Sequence, residues 1–166
     1  QERFRLLGAL TITVRPPLGY YPATCDTKGR LKLPADFQRY MEAMGKQFFV
    51  SSTNGQDLQI YTPQGWEKQQ VWLEGIREPR ENAMAARKVL EAALIWGGNS
   101  KLDSDGRLLL PPEIRRKLNL EGANCHMRIE RDHVKLMSAD RYRALTEEVQ
   151  MNLEEAHELM ELHGMG

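Results

Sequence analysis

The chain has 166 residues, of which 41% are apolar and 28% are charged, and its 23 lysines and arginines balance its 23 acids. This composition is typical of one ordinary globular domain or two very small ones, and it excludes a disordered or collagen-like chain. No apolar run approaches the ~20 residues of a membrane-spanning helix, and residues 1–30 lack the apolar segment of a secretory signal, so neither is expected. Cys25 and Cys125 are too few for a disulfide framework and favour a reducing compartment.

The charge is distributed unevenly along the chain. Residues 1–33 carry six cations against two anions, whereas residues 140–166 carry two cations against seven anions. The basic part includes Arg3, Arg5 and Arg15, which we interpret as solvated charges of an N-terminal arm, with DNA contact as the alternative. The proline- and glycine-rich stretch RPPLGYYP, residues 15–22, predicts a loop or an arm.

One ten-residue sequence motif occurs twice in the chain. CDTKGRLKLP at residues 25–34 returns as LDSDGRLLLP at residues 102–111, and at this offset of 77 residues six of the nine positions from aspartate to proline are identical. A period of this length is too long for a solenoid, and two copies are too few. The repeat therefore indicates a duplicated small domain.

Each copy predicts a tight turn followed by a short strand. Aspartate at the first position and glycine at the fourth favour a type I turn at the surface, which makes Asp26, Gly29, Asp103 and Gly106 the candidate structural turn residues. The apolar alternation after each turn, Leu31 and Leu33 in the first copy and Leu108 and Leu110 in the second, predicts a half-buried strand.

A short helix and a hairpin complete each copy. Pro34 and Pro111 stand where helices begin, and Phe37, Tyr40 and Met41 lie on one face of a helix that ends at Gly45. Asn54-Gly55 and Arg131-Asp132 lie between pairs of apolar runs, as hairpin turns do. A unit of ~45 residues cannot bury a sufficient core alone, so we expect the two copies to intertwine.

Helices link and end these units. Thr62-Pro63 predicts the start of one helix, residues 80–97 predict a second, and Ser138 predicts the N-cap of a long final helix that extends to about residue 163. The resulting division is an N-terminal extension (1–18), a first repeated unit (19–70), a connecting helix (71–98), a second repeated unit (99–145), and the end of the C-terminal helix with a tail (146–166).

These paired Asp-x-x-Gly-Arg turns, each followed by an apolar strand and a helix-opening proline, resemble the MraZ family of bacterial transcriptional regulators. Tyr61 with Trp66, the segment ALIWGGNSKLDSDGR (93–107) and the acidic closing helix extend the resemblance over residues 19–163. The resemblance implies an α+β fold. In it, two tandem swapped-hairpin AbrB-like units form a pseudo-symmetric small β-barrel with flanking helices and a long C-terminal helix.

The resemblance also implies a function. Such a protein would be a sequence-specific DNA-binding regulator, usually a repressor of the division and cell-wall gene cluster. It would bind repeated promoter boxes of double-stranded DNA as a ring-like homo-oligomer, in the cytoplasm and at the nucleoid. No cofactor, membrane partner or small-molecule substrate is implied.

The residues themselves support a DNA contact at the first turn. Lys28, Arg30 and Lys32 alternate along the turn and strand and so project from one side, and a β-ribbon of this kind can enter the major groove. Residues 26–32 have a net charge of +2, whereas residues 103–109, which contain Arg107, have −1. We therefore expect the first copy to face DNA and the second to be chiefly structural. The alternative is that both Asp–Arg pairs only hold their strands in place.

The sequence gives less support to catalysis or metal binding. No nucleophile motif surrounds Cys25, and His126 and His133 provide no pattern for a base, so no enzyme is expected. His157 and His163 are six residues apart rather than one helical turn, and there is no Cys-x-x-Cys, so no metal site is expected. The remaining alternative is an AbrB-like scaffold for protein–protein contact, such as an antitoxin-type assembly module without strong DNA binding.

Overall fold

A computed structural model describes residues 2–6 and 10–166 of the chain, with side chains described from Val14 onward. In these residues ten strands and six helices form an α+β fold, as expected from the sequence. The strands are β1 (Glu2–Leu6), β2 (Leu10–Val14), β3 (Tyr21–Cys25), β4 (Arg30–Lys32), β5 (Gln47–Ser51), β6 (Leu58–Tyr61), β7 (Gly98–Lys101), β8 (Arg107–Leu109), β9 (Asn124–Glu130) and β10 (His133–Ser138). The helices are α1 (Ala35–Met44), α2 (Pro63–Gly75), α3 (Arg80–Trp96), α4 (Pro112–Lys117), α5 (Ala139–Gln150) and α6 (Leu153–His163).

Eight of the strands form one antiparallel sheet that nearly closes into a barrel. Their order is β7-β5-β6-β10-β9-β3-β4-β8, and a bridge between Leu102 and Leu108 brings the two ends of the sheet together. The remaining strands, β1 and β2, form a separate hairpin in the N-terminal extension. The predicted small barrel with flanking helices is confirmed.

The two copies are related by a pseudo-twofold axis and exchange strands. β4 and β8 pair so that Leu31 lies opposite Leu108, with Arg30 opposite Leu109 and Lys32 opposite Arg107. Because Leu31 and Leu108 are equivalent residues, this register is symmetric about their pair. β3 pairs with β9 of the second copy, and β7 pairs with β5 of the first. The expected intertwining is confirmed.

The apolar alternation that follows each turn fills the barrel. Leu31, Leu108 and Leu110 are fully buried, and Leu33 is nearly so. Phe37, Tyr40 and Met41 cover the core from α1, and Ile114 does so from α4. Cys25 and Cys125 are buried as free thiols, and burial raises the pKa of the Cys25 thiol to about 11.

The helices begin where the sequence predicts, but the final helix is divided. Thr62 Oγ1 accepts a hydrogen bond from the N–H of Gly65, and Ser138 Oγ accepts one from the N–H of Arg141. The chain then leaves the helix between α5 and α6, where Asn152 adopts the left-handed conformation with φ 57°. Asparagine tolerates this conformation better than most residues, so the predicted single helix is instead two helices.

None of the helices in the described ranges is long and apolar enough to cross a bilayer.

Candidate nucleic-acid interface

The first turn is held together by the carboxylate of Asp26. Asp26 Oδ1 accepts hydrogen bonds from the backbone N–H groups of Lys28 and Arg30, each at 2.9 Å, and Oδ2 pairs with Arg30 Nε at 2.6 Å. The N–H of Gly29 donates to the carbonyl of Asp26 at 3.0 Å, and Gly29 has φ 81°. A type I turn followed by a glycine in the left-handed region is a common way to close a short hairpin.

The second turn repeats this geometry with a different charge. Asp103 Oδ1 accepts from the N–H groups of Asp105 at 2.8 Å and Arg107 at 2.9 Å, and Arg107 Nε pairs with Asp103 Oδ2 at 3.1 Å. In addition, Arg107 Nη2 pairs with Asp105 Oδ2 at 3.0 Å. Among the residues that the structure describes, two carboxylates therefore share the charge of Arg107, whereas one carboxylate holds Arg30.

The hydrogen bonds of these turns lower the pKa of both aspartates. For Asp26 the largest cause is the N–H of Arg30, and for Asp103 it is the N–H of Arg107. A carboxylate that accepts such bonds is stabilised in its charged form. Each turn therefore depends on an ionised aspartate.

Acid is expected to weaken both turns. Because the folded-state pKa of each aspartate lies below the value of about 3.9 in an unfolded chain, the stabilisation is present above pH ~3.9 and is lost as the pH falls through the folded-state value. We expect the urea midpoint to decrease over this range, and to decrease less in an Asp26→Asn/Asp103→Asn variant. Urea unfolding curves at several pH values between 6 and 2.5 measure this difference. An equal decrease of the urea midpoint with pH in the wild-type protein and the variant would contradict this expectation.

Three of the four predicted DNA-binding cations share one face of the β4–β8 ribbon. Arg30, Lys32 and Arg107 alternate with the buried Leu31 and Leu108, so they lie on the outer side of the barrel.

Lys28 lies exposed in the adjoining first turn, and Lys32 is exposed on its strand. Among the described residues, neither Lys28 nor Lys32 has an acidic partner within ion-pair distance. Leu109, the equivalent of Lys32 in the second copy, is 52% exposed on the same face. This outer face and the first turn together form the candidate interface.

The sequence did not indicate the role of Arg115. A Cβ at Gly29 would overlap the side chain of Arg115, and a Cβ at Gly106 would overlap that of Gln38, its equivalent in the first copy. Each turn thus packs against the helix of the other unit. Arg115 Nη1 also donates to the carbonyl of Leu110 at 2.8 Å, and its side chain is only 12% exposed. Arg115 Nε also pairs with Glu121 Oε1 at 3.3 Å, so the exchange places an ion-paired arginine beside the first turn and a neutral amide beside the second.

The other candidate residues do not form a site. Arg15 is exposed, and the side chains of Arg3 and Arg5 lie outside the described part of the chain. Cys25 faces the core, whereas His126 stacks on Tyr142 with ring centroids 3.6 Å apart. His133 stacks on Tyr61 instead. The residues considered as nucleophile and base are therefore not brought together.

Comparison with known proteins identifies relatives of this chain. A family model described as "MraZ protein, putative antitoxin-like" matches residues 98–163. A protein of Acidobacterium capsulatum named "Transcriptional regulator MraZ" is 41% identical over 105 residues, which are 63% of this chain and 70% of that protein. Proteins of the same name from Koribacter versatilis and Ligilactobacillus salivarius are 32% identical over 106 residues and 28% identical over 145 residues. The first of these matches covers 63% of this chain and 70% of the relative, and the second covers 86% and 95%.

Proposed function

The chain belongs to the MraZ family, and we propose that it is a sequence-specific DNA-binding transcriptional regulator. It contacts DNA through the first turn and the outer face of the β4–β8 ribbon. The relatives described above are named transcriptional regulators, which supports the general function. As a ring-like homo-oligomer at the nucleoid, the protein binds repeated promoter boxes and represses the division and cell-wall gene cluster. Each protomer contains two SpoVT–AbrB-type units, residues 19–70 and 99–145.

The difference in charge between two turns of the same geometry carries this proposal. Both turns have the same backbone hydrogen bonds, so the fold alone does not require lysine at either place. The first turn nevertheless presents Lys28 and Lys32 to solvent, while the equivalents in the second are Asp105 and Leu109. Unpaired surface cations grouped on a ribbon are suited to the phosphate backbone of DNA.

The four predicted cations have different roles in this proposal. Lys28 and Lys32 neutralise phosphates, because lysine is a flexible point charge. Arg30 is half-buried and fixed by Asp26, which orients its guanidinium for a bidentate contact with guanine in the major groove. Arg107 is bound by two carboxylates and contributes least.

A single turn of this kind binds DNA weakly. Non-specific phosphate contacts give dissociation constants of roughly 10⁻⁴–10⁻⁶ M. When several turns are joined in one assembly, the effective concentration rises and affinity increases by about 10²–10⁴-fold. Self-association therefore allows a protomer with no net charge to bind DNA, provided that the exposed cations lie along one edge of the assembly.

Binding to the DNA upstream of the protein's own gene tests this function. We expect the affinity to fall steeply between about 50 and 200 mM salt, as counterion release requires. Arg30→Ala should lose about 10-fold or more in affinity, because a bidentate base contact contributes roughly 1–3 kcal/mol. Fluorescence anisotropy with a labelled duplex measures both effects, and circular dichroism checks that the variant is folded.

Arg143→Ala is a matched control for this experiment. Arg143 is 68% exposed on α5 and pairs with Asp140 at 3.4 Å, so its removal also deletes one charge and one ion pair. Its affinity should equal that of the wild-type protein. An absence of binding at every salt concentration would favour the scaffold alternative, which agrees with the words "antitoxin-like" in the description of the family model.

A further inference from the structure

α2 and α3 enclose an open cleft with an apolar floor. The cleft has a volume of about 660 Å³, and half-buried Leu73, Ile76 and Leu90 line its floor. Met84 lies at its mouth and is 59% exposed. A cleft of this kind presents apolar surface that water covers unless another element packs on it.

Three arginines surround this floor. Arg77, Arg80 and Arg87 line the cleft and are exposed, and none of them forms an ion pair with another residue that the structure describes. Glu74 is the one acid in the lining, and its carboxylate accepts a hydrogen bond from Gln70 at 2.9 Å. The cleft therefore combines an apolar floor with a cationic rim.

Helix α6 has the complementary character. Leu153, Ala156 and Met160 follow one another at helical spacing along one side, and Leu153 and Met160 are 44% and 49% exposed. Four acids occupy much of the remaining circumference: Glu154, Glu155 and Glu161 flank the apolar side, and Glu158 lies opposite it.

Every residue of α6 is exposed, so no other element in the described part of the chain covers its apolar side. Isolated helices shorter than ~12–15 residues are marginally stable in water, and α6 has 11 residues. Packing of its apolar side against another surface would stabilise it.

We propose that the α2–α3 cleft of one copy binds helix α6 of a second copy. The apolar side of α6 covers Leu73, Ile76 and Leu90, and the acids that border this side meet the arginine rim. Each copy offers one cleft and one helix, which are different surfaces, so the contact is head-to-tail and can be repeated from copy to copy. This inference rests on the self-association proposed above and identifies the surfaces that produce it.

DNA is a less suitable occupant of the cleft. Phosphates would satisfy the arginines but would leave the apolar floor and Met84 in contact with a polar backbone. An amphipathic acidic helix satisfies both parts of the cleft. Occupation by DNA is one outcome of the experiment below, and it would overturn the proposal.

Charge reversal on each surface tests the contact. The cleft variant Arg80→Glu/Arg87→Glu and the helix variant Glu154→Lys/Glu158→Lys/Glu161→Lys should each weaken self-association by at least about 10-fold, because like charges then meet. An equimolar mixture of the two variants should associate again, since each altered surface then finds a complementary one. Sedimentation velocity measures the size distributions. Lys88→Glu, an exposed position on α3 outside the cleft lining, should leave self-association unchanged.

Cysteine crosslinking gives a second measurement that does not depend on charge. Met84→Cys in one preparation and Met160→Cys in another should form a disulfide-linked heterodimer when mixed and oxidised. The native thiols are buried and should not compete.

The possible outcomes separate this inference from the proposed function. Unchanged association in both charge variants, or no heterodimer, would overturn the inference while self-association stands. A wild-type protein that is monomeric at every concentration would overturn both self-association and the inference. Loss of DNA binding in the cleft variant with unchanged oligomer size would show that the cleft binds DNA instead.

Discussion

The double substitution Lys28→Asp/Lys32→Leu is expected to reduce DNA affinity by about 10³-fold while the fold is kept. These changes give the first turn the residues that its equivalent already has, namely Asp105 and Leu109. Each protomer loses two phosphate contacts and gains a carboxylate that repels DNA. Because several turns act together in the assembly, the losses multiply.

The fold should tolerate this change for two reasons. Lys28 and Lys32 are exposed, and neither forms an ion pair with another described residue, so their removal leaves no charge unpaired. A sequence that differs from the variant turn only in having Ser104 in place of Thr27 already forms the second turn, with the same hydrogen bonds. By analogy with Arg107, we expect the introduced carboxylate to pair with Arg30 and draw it away from DNA.

A salt series of anisotropy measurements tests this prediction. The slope of the logarithm of affinity against the logarithm of salt concentration should fall by about 0.9 for each lost phosphate contact. The reciprocal variant, Asp105→Lys/Leu109→Lys, is the matched control because it adds the same charges to the second turn. It should bind DNA at least as tightly as the wild-type protein. Wild-type affinity in the first variant would disprove the proposed interface.

Leu31→Ala is expected to lower the free energy of unfolding by about 2–5 kcal/mol, the usual range for a fully buried leucine. Leu31 lies at the pseudo-twofold axis opposite Leu108, and both side chains are fully buried between the two units. The cavity would open where the units exchange strands, so little of the surrounding structure can relax into it. Leu108→Ala should have a similar effect, and the double variant should differ from the sum because the residues are in contact.

Urea unfolding at one fixed protein concentration measures these effects, because self-association contributes to the apparent stability. Leu109→Ala serves as the control, since Leu109 neighbours Leu108 but is 52% exposed. Its substitution should change the free energy of unfolding by no more than about 0.5 kcal/mol. A comparably small effect at Leu31 would mean that the symmetric β4–β8 pair does not form the centre of the core.

The sequence alone determined the parts of this protein that depend on near neighbours along the chain. The alternation of Leu31 with Leu33 and of Leu108 with Leu110 predicted which leucines are buried, and the Asp26 and Asp103 turns and the cap at Ser138 arise from contacts within about five residues. Such contacts follow from side-chain chemistry and backbone preference. The repeat also predicted two intertwined units, because neither unit could bury a core alone.

Only the tertiary structure decided which parts of the two units meet. Arg115 lies beside Gly29 and not beside the turn of its own unit, because the copies exchange strands. The local sequence would be the same if each turn packed against the helix of its own unit. The position of Leu109 opposite Arg30 was likewise decided by the fold, because β4 and β8 belong to different units. The break at Asn152 was not visible in the sequence, since the apolar spacing continues across it and only the backbone conformation reveals it. Contacts between distant residues depend on how the whole chain packs. The sequence pattern around one residue does not identify the distant residue that it contacts.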